Sequence, residues 1–176
     1  CNEGAIVIGK SLKTNSTLEE LELRRCYIGA EGGKAIGNGI KNLTCLRLSE
    51  NKLCGLELSG NGTYDPKGIR ALANALSVLS SLSLCSNNIG PEGASELADA
   101  LKSGSKLERL ILRRSLIGDE GAIAIARSLV TNSTLKELYL SYCRIGTKGG
   151  TKFSEALDGG ATALTVLDLS DNSIEE

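Results

Sequence analysis

The sequence predicts an α/β solenoid, a horseshoe-shaped stack of strand-helix units with parallel strands on the concave face and helices on the convex face. First, an eleven-residue phrase recurs six times, starting at Leu18, Leu43, Leu79, Leu107, Leu135 and Leu164. Leu fills its first, fourth and sixth places, Asn, Cys or Ser the ninth, and Ile or Leu the eleventh. Second, the apolar period changes inside each unit from strand alternation to helical spacing. Third, a lone unit buries too little apolar surface to offset the entropy of ordering it, so the units must stack. Strands in register lie about 4.8 Å apart and packed helices about 8 to 10 Å; the stack therefore bends with its strands inside.

Taken in order, residues 1–17 open with CNEGAIVIGKSL, the helix of a partial first unit. Successive phrases then start 25, 36, 28, 28 and 29 residues apart, and a unit of 28 accounts for all of them with local edits. Six steps separate the last apolar helix residue from the next strand at Leu101 to Leu107 and at Leu129 to Leu135. Only three separate Ile40 from Leu43 and Leu76 from Leu79, so these two loops are trimmed. The longest interval also gains about eleven residues after Leu53, roughly 54–64 (CGLELSGNGTY), because Gly68 takes the place that Gly93 holds in the next unit. In the fourth copy Leu110 and Leu112 alternate as in a strand, and Ala122, Ile125, Ala126 and Leu129 then recur at helical spacing. Pro91 with Glu92, and Asp119 with Glu120, suit the first turn of a helix; Lys148 departs from that charge habit. The last phrase, LTVLDLSDNSI, is a strand with no helix after it, and neither end carries a polar capping unit. The expectation is a segment of a longer chain.

At the ninth place a small polar side chain is expected to satisfy buried backbone groups, as Asn51, Asn87 and Asn172 can, with Cys26, Cys143 and Ser115 as substitutes. This Asn/Cys usage, with helices reading like EGAIAIARSLVTNSTL, closely resembles the ribonuclease-inhibitor class of leucine-rich repeats, a class found also in NOD-like receptors and Ran GTPase-activating protein. The resemblance covers nearly all 176 residues and implies one leucine-rich repeat domain over 1–176. Because the class serves inhibitors, sensors, GTPase regulators and scaffolds, it implies binding rather than one named task. The expectation is a protein-protein interaction module, or a scaffold or stabilising subunit of a larger complex. The alternative is a regulator of a partner enzyme, GTPase-activating-protein-like or inhibitor-like, or a ligand-sensing receptor domain. Nuclease inhibition wants a strongly acidic face and aromatic anchors, whereas this chain has a net charge of -1 and no Trp.

Composition narrows the classes. With 41% hydrophobic and 23% charged residues the chain reads as an ordinary folded domain, neither disordered nor built for nucleic acid. No run of apolar residues is long enough to insert into a membrane. The absence of His removes the ordinary catalytic triad, His-based metal sites and a neutral-pH proton shuttle. GxxxxGKS/T, GxGxxG and CxxC are missing too, and neighbouring carboxylates such as Glu19 and Glu20 read as solvated surface. Neither an enzyme nor a cofactor is expected. Six cysteines scattered through different units should be reduced thiols, which points to the cytoplasm or another reducing compartment. Asn15, Asn42, Asn61 and Asn132 begin Asn-x-Ser/Thr triplets that could accept glycans in a secreted setting, but two of these are TNST turns.

Function is expected on the concave face, to which the third, fifth, seventh and eighth places contribute. Arg109, Arg113 and Arg114 in one copy should lie one rung from Tyr139 and Tyr142, with Asp168 and Asp171 one rung further. Arg and Tyr are enriched at binding hot spots, so these seven residues form the expected contact patch for a protein partner. Tyr64 is the second candidate, read as the aromatic tip of the insertion on a flexible stem containing Gly55, Gly60 and Gly62.

Overall fold

The computed structural model describes residues 1–56, 61–102, 104–159 and 163–175. Its elements alternate along the chain: α1 (Asn2–Leu12), β1 (Glu20–Glu22), α2 (Ala30–Gly37), β2 (Cys45–Arg47), α3 (Lys67–Asn74) with a 3-10 turn at Ala75–Ser77, β3 (Ser81–Ser83), α4 (Gly90–Lys102), β4 (Arg109–Ile111), α5 (Gly118–Leu129), β5 (Glu137–Tyr139), α6 (Thr147–Asp158) and β6 (Val166–Asp168). The strands form one parallel sheet in sequence order. Leu21, Leu46, Leu82, Leu110, Leu138 and Leu167 are mutually in register, so the fourth place of every phrase falls on one line across the sheet. Helices pack on helices in the same order along the opposite face. The parallel pairing of consecutive copies is the solenoid that the periodicity predicts.

The strands are short because each copy needs only enough extended chain to put its fourth and sixth residues into the core. Leu46, Leu48, Leu82, Leu84, Leu110, Leu112, Leu138 and Leu140 are fully buried, while Leu21 and Leu167, on the outermost strands, are half-buried for want of a neighbour on one side. Helical residues Ile36, Leu72, Leu97, Ile125 and Phe153 close the core from the other layer. The trimmed loops leave α2 and α3 at 8 residues each, against 13 in α4 and 12 in α5 and α6. Those short helices pack almost backbone to backbone. A side chain at Gly37 would come within 2.6 Å of the Ala71 backbone, and one at Gly9 within 2.3 Å of Ala35.

The ninth place forms the expected ladder. Asn51 donates from Nδ2 to the Leu23 carbonyl one rung back (2.8 Å) and to Leu48 (2.9 Å), while its Oδ1 accepts from the Cys26 and Ile28 amides (3.1 and 3.0 Å). Asn87 reaches back to Leu48 (2.9 Å) and Asn172 to Leu140 (2.9 Å). The substitutes keep the direction: the Ser115 hydroxyl donates to Leu84 (3.4 Å) and the Cys143 thiol to Leu112 (3.2 Å). Among the described residues no buried side-chain nitrogen or oxygen lacks a partner.

Helix starts are also tied from one unit to the next. Oδ1 of Asn2 accepts from Gly29 and Gly32 at the start of α2 (2.7 and 3.2 Å), and Oδ1 of Asp119 accepts from Gly146 and Gly149 at the start of α6 (2.8 and 2.9 Å). A carboxylate there complements the helix dipole, so Lys148 is tolerated in the first turn of α6 because the preceding unit supplies the negative charge. In the TNST turns, Asn15 accepts from Thr17 and Leu18, and Asn132 accepts from Thr134 and Leu135 while donating to Leu101 (2.7 Å). Asn132 is buried and serves the turn, so it is not open to a glycan as it stands.

Candidate functional site

The expected patch is built where β4, β5 and β6 lie side by side. Register sets Arg109 opposite Glu137, Ile111 opposite Tyr139, and Tyr139 opposite Asp168. Arg109 makes a two-pronged contact with Glu137, at 2.6 and 2.7 Å, and the Tyr139 hydroxyl donates to the same carboxylate at 3.0 Å. Arg113 lies 5.0 Å from the Tyr139 ring centroid and reaches past it to Asp168 at 2.8 Å. Together Arg109, Ile111, Arg113 and Tyr139 line a shallow hollow on the concave face.

These contacts set the charge states. Arg109, then Tyr139, holds the Glu137 carboxyl below its ordinary range, and the Ser170 hydroxyl and amide, with Arg113, do the same for Asp168. Both remain ionised at neutral pH. Arg109 and Arg113 each thereby have an opposite charge at hand, which orients their side chains along the sheet.

The eighth place lies at the margin of the expected strip. Ladder hydrogen bonds run on past the named strands, Arg114 to Ser141 at 3.0 Å and Tyr142 to Ser170 at 3.2 Å, but the backbone there turns left-handed. Arg25, Glu50, Ser86, Arg114, Tyr142 and Asp171 all have φ between 54° and 57°. Arg114 and Tyr142 therefore project at the edge leading into the helices, stacked on each other with the Arg114 guanidinium 5.0 Å from the ring centroid. Asp171 is exposed on the same edge, one rung on.

Tyr64 does not form an exposed tip. Its ring is half-buried against the core, and its hydroxyl donates to the Ile89 carbonyl at 2.8 Å. Burial pushes the phenol's pKa up, and the hydroxyl lies against Gly93 in the first turn of α4, 3.1 Å from where a side chain there would begin. Tyr64 thus packs over the start of α4, the place where Asn2 and Asp119 cap α2 and α6, but binds a carbonyl there rather than helix amides. The neck of the insertion is closed by Asp65 donating to Cys54 at 2.8 Å. At Gly55 and Gly62 the backbone has positive φ, and a side chain would strike Thr63 or Gly55 backbone within 2.6 Å. Residues 57–60, including Gly60 of the expected stem, lie outside the described residues.

Sequence reasoning missed Glu137, whose opposite charge at the same template place 28 residues after Arg109 was the available signal. It missed also the pairing of Glu50 with both Arg24 and Arg25 on the first two rungs, and the Tyr27 ring 5.4 Å from Lys52. Between these two charged ends, the third rung presents Ser81 and Ser83 of β3 and then Cys85, with Ser83 bonded to Ser49 at 3.0 Å. Among the described residues no cluster of acidic, Cys or His side chains could hold a metal ion, and no helix is long and apolar enough to cross a membrane.

A single parallel sheet, one strand-helix unit per rung and a backbone-directed polar ladder define a leucine-rich repeat solenoid. The leucine-rich repeat family model matches residues 14–37, 75–98, 105–126 and 131–154, more than half of the sequence, and the chain belongs to that family. Among solved structures it is similar to the tropomodulin C-terminal domain of Caenorhabditis elegans, at 16% identity and a TM-score of 0.63, over 90% of this chain and 92% of that one. At that identity the likeness is one of fold. No curated protein matches the chain.

Proposed function

We propose that this chain is a protein-binding scaffold of the ribonuclease-inhibitor-like kind, which holds its partner against the concave side of rungs four to six and its adjoining edge through Arg109, Arg113, Arg114, Tyr139, Tyr142, Asp168 and Asp171. One observation supports this most directly: Arg113 is held between the Tyr139 ring and Asp168, so a charged and aromatic surface is fixed before any partner arrives. Fixing rotamers beforehand reduces the entropy lost on binding, and ordered Arg and Tyr side chains are the kind that anchor interfaces. We infer no enzymatic role. The scaffold works in the cytoplasm or another reducing compartment as a subunit of a larger complex, and the presence of Cys1, Cys26, Cys45, Cys54, Cys85 and Cys143 as free thiols supports that setting. Quantitative affinity capture from the native source, comparing the wild type with an Arg113→Ala/Tyr139→Ala variant of unchanged melting behaviour, tests the reading. Proteins depleted from the variant are the partners expected; identical capture by both forms would remove the concave patch from consideration.

A further inference from the structure

The shallow hollow on the concave face has an apolar floor that the fold does not require. Arg109, Ile111, Arg113 and Tyr139 line it, and its volume is about 290 Å³, below the usual range of small-molecule cavities. Ile111 and Tyr139 stand side by side in register at the fifth place of their copies. The other copies carry Glu22, Arg47, Ser83 and Asp168 there, so the solenoid accepts charged and small polar residues at this place. Ile111 is nevertheless half-exposed, which leaves apolar surface in water. On the β3 side its neighbour in register is Ser83, whose short side chain leaves the floor open.

The frame of the hollow decides what enters it. Arg109 and Arg113 stand two places before and two places after Ile111 on the same copy. Both commit N–H groups to carboxylates, Arg109 through Nε and Nη2 to Glu137 at 2.6 and 2.7 Å, and Arg113 through Nη2 to Asp168 at 2.8 Å. Such bonds run in the guanidinium planes and leave the planar faces for stacking; Arg113 already lies over the Tyr139 ring, 5.0 Å from its centroid. An acidic side chain would have to displace Glu137 or Asp168, and a cation would meet both guanidiniums. An uncharged ring can cover Ile111 and lie against the guanidinium faces with every ion pair intact.

On the reading of the chain as a protein-binding scaffold, we propose that this hollow is the socket for one aromatic side chain of the partner polypeptide, seated on Ile111 between Arg109 and Arg113 and beside the Tyr139 ring. An apolar centre inside a polar rim is the arrangement of an interface anchor. A stacked nucleic-acid base would bring phosphates towards Glu137 and Asp168, whereas a polypeptide carries no such charge beside its ring.

The chain has no Trp, so the indole emission of a short peptide with one Trp between Gly and Ser residues reports the peptide alone. On titration with the whole chain that emission should shift to the blue and its anisotropy rise, with a dissociation constant of about 1 mM and little change between about 50 and about 300 mM salt. Peptides with Leu or Glu in place of the Trp should compete about threefold more weakly or worse. Ile111→Ser, tolerable because the same place of β3 carries Ser83, should weaken binding about fivefold or more with unchanged thermal melting. Arg113→Lys, which keeps the charge and loses the planar face, should weaken it about threefold, and Lys102→Ala on the convex face should leave it as it was. No blue shift, equal competition by the Leu or Glu peptide, full binding by Ile111→Ser or Arg113→Lys, or tighter competition by a single-stranded oligonucleotide would each overturn the proposal. Native-source capture separates it from the broader reading. Loss on Arg113→Ala/Tyr139→Ala with none on Ile111→Ser overturns only the socket, and retention in both variants overturns both.

Discussion

Arg113 and Asp168 pair at 2.8 Å across two rungs, the arginine passing over the Tyr139 ring on the intervening strand. The two residues stand 55 apart in sequence and connect β4 to β6 without a backbone bond between those strands. Their meeting depends on the solenoid's register, which brings every fifth and seventh place into reach of the neighbouring copies.

Acid should expose what this network contributes. Asp168, Glu137 and Glu50 all have carboxyl pKa values lowered in the fold, by Ser170 with Arg113, by Arg109 with Tyr139, and by Arg25 with Arg24. A lowered folded value means that the contribution is complete above the unfolded carboxylate pKa of about 4 and is lost as pH falls through the folded one. Urea midpoints should therefore be level above about pH 5 and fall below about pH 4. Asp168→Asn combined with Glu137→Gln should shallow that fall; the same acid sensitivity in the variant would show that these carboxylates do not matter to stability.

Register makes a sharper stability contrast on one strand end. Leu112 is fully buried while Arg113, its neighbour, is exposed. Leu112→Ala should cost about 2 to 5 kcal/mol, and Arg113→Ala less than about 1, since its ion pair is solvent-screened. Equal losses in denaturant melts would contradict the inward and outward assignment.

Leucine spacing made the sheet legible because burying alternate residues fixes both direction and register: the line from Leu21 to Leu167 needed no tertiary information. The ladder was legible at Asn51 and at Cys143 for a similar reason, a polar residue recurring beside buried backbone. Arg113 with Asp168 was not, because which of several long, flexible side chains pair depends on rotamers and rung spacing rather than period. Tyr64 misled because an aromatic residue in a Gly-rich insertion suggests a tip; its hydrogen bond to the Ile89 carbonyl exists only once α4 is packed beside it. The caps from Asn2 and Asp119 escaped notice likewise, since each serves a helix about 27 residues away.

Ladder chemistry yields another comparison. Asn51→Ala removes a donor to three carbonyls and an acceptor for two amides, two of these bonds buried and three partly buried, so a loss of about 2 kcal/mol or more is expected. Cys143→Ala removes only weak thiol contacts to Leu112 and Ser141 and should cost about 1 kcal/mol. Guanidinium melts of the two variants check the ranking, and a greater loss at Cys143 would mean that packing, not the ladder, dominates that place.

Thiol accessibility should follow burial. Cys54 and Cys143 are fully buried and burial raises their pKa values to about 12 and about 11, whereas Cys1 is exposed and Cys26 and Cys85 are half-buried. Alkylation in denaturant without reductant should modify all six cysteines; without denaturant, Cys54 and Cys143 should stay unmodified because both access and thiolate are lacking. A mapped disulfide in either sample would overturn the reducing-compartment reading.

Partner binding gives the last test. The Tyr142 ring is half-exposed at the sheet edge, stacked under Arg114, and its hydroxyl makes no hydrogen bond among the described residues. If the ring anchors a partner, Tyr142→Ala should weaken capture by about 2 kcal/mol or more, while Tyr142→Phe, which keeps the ring and the cation above it, should behave as wild type. Lys102 lies on the convex layer, paired with Asp99 at 2.7 Å, so Lys102→Ala should leave capture unchanged. Titration of each variant against a captured partner distinguishes the cases: loss with both Tyr142 changes would assign the binding to the hydroxyl, and loss with Lys102→Ala alone would move the contact to the outer helices and away from rungs four to six.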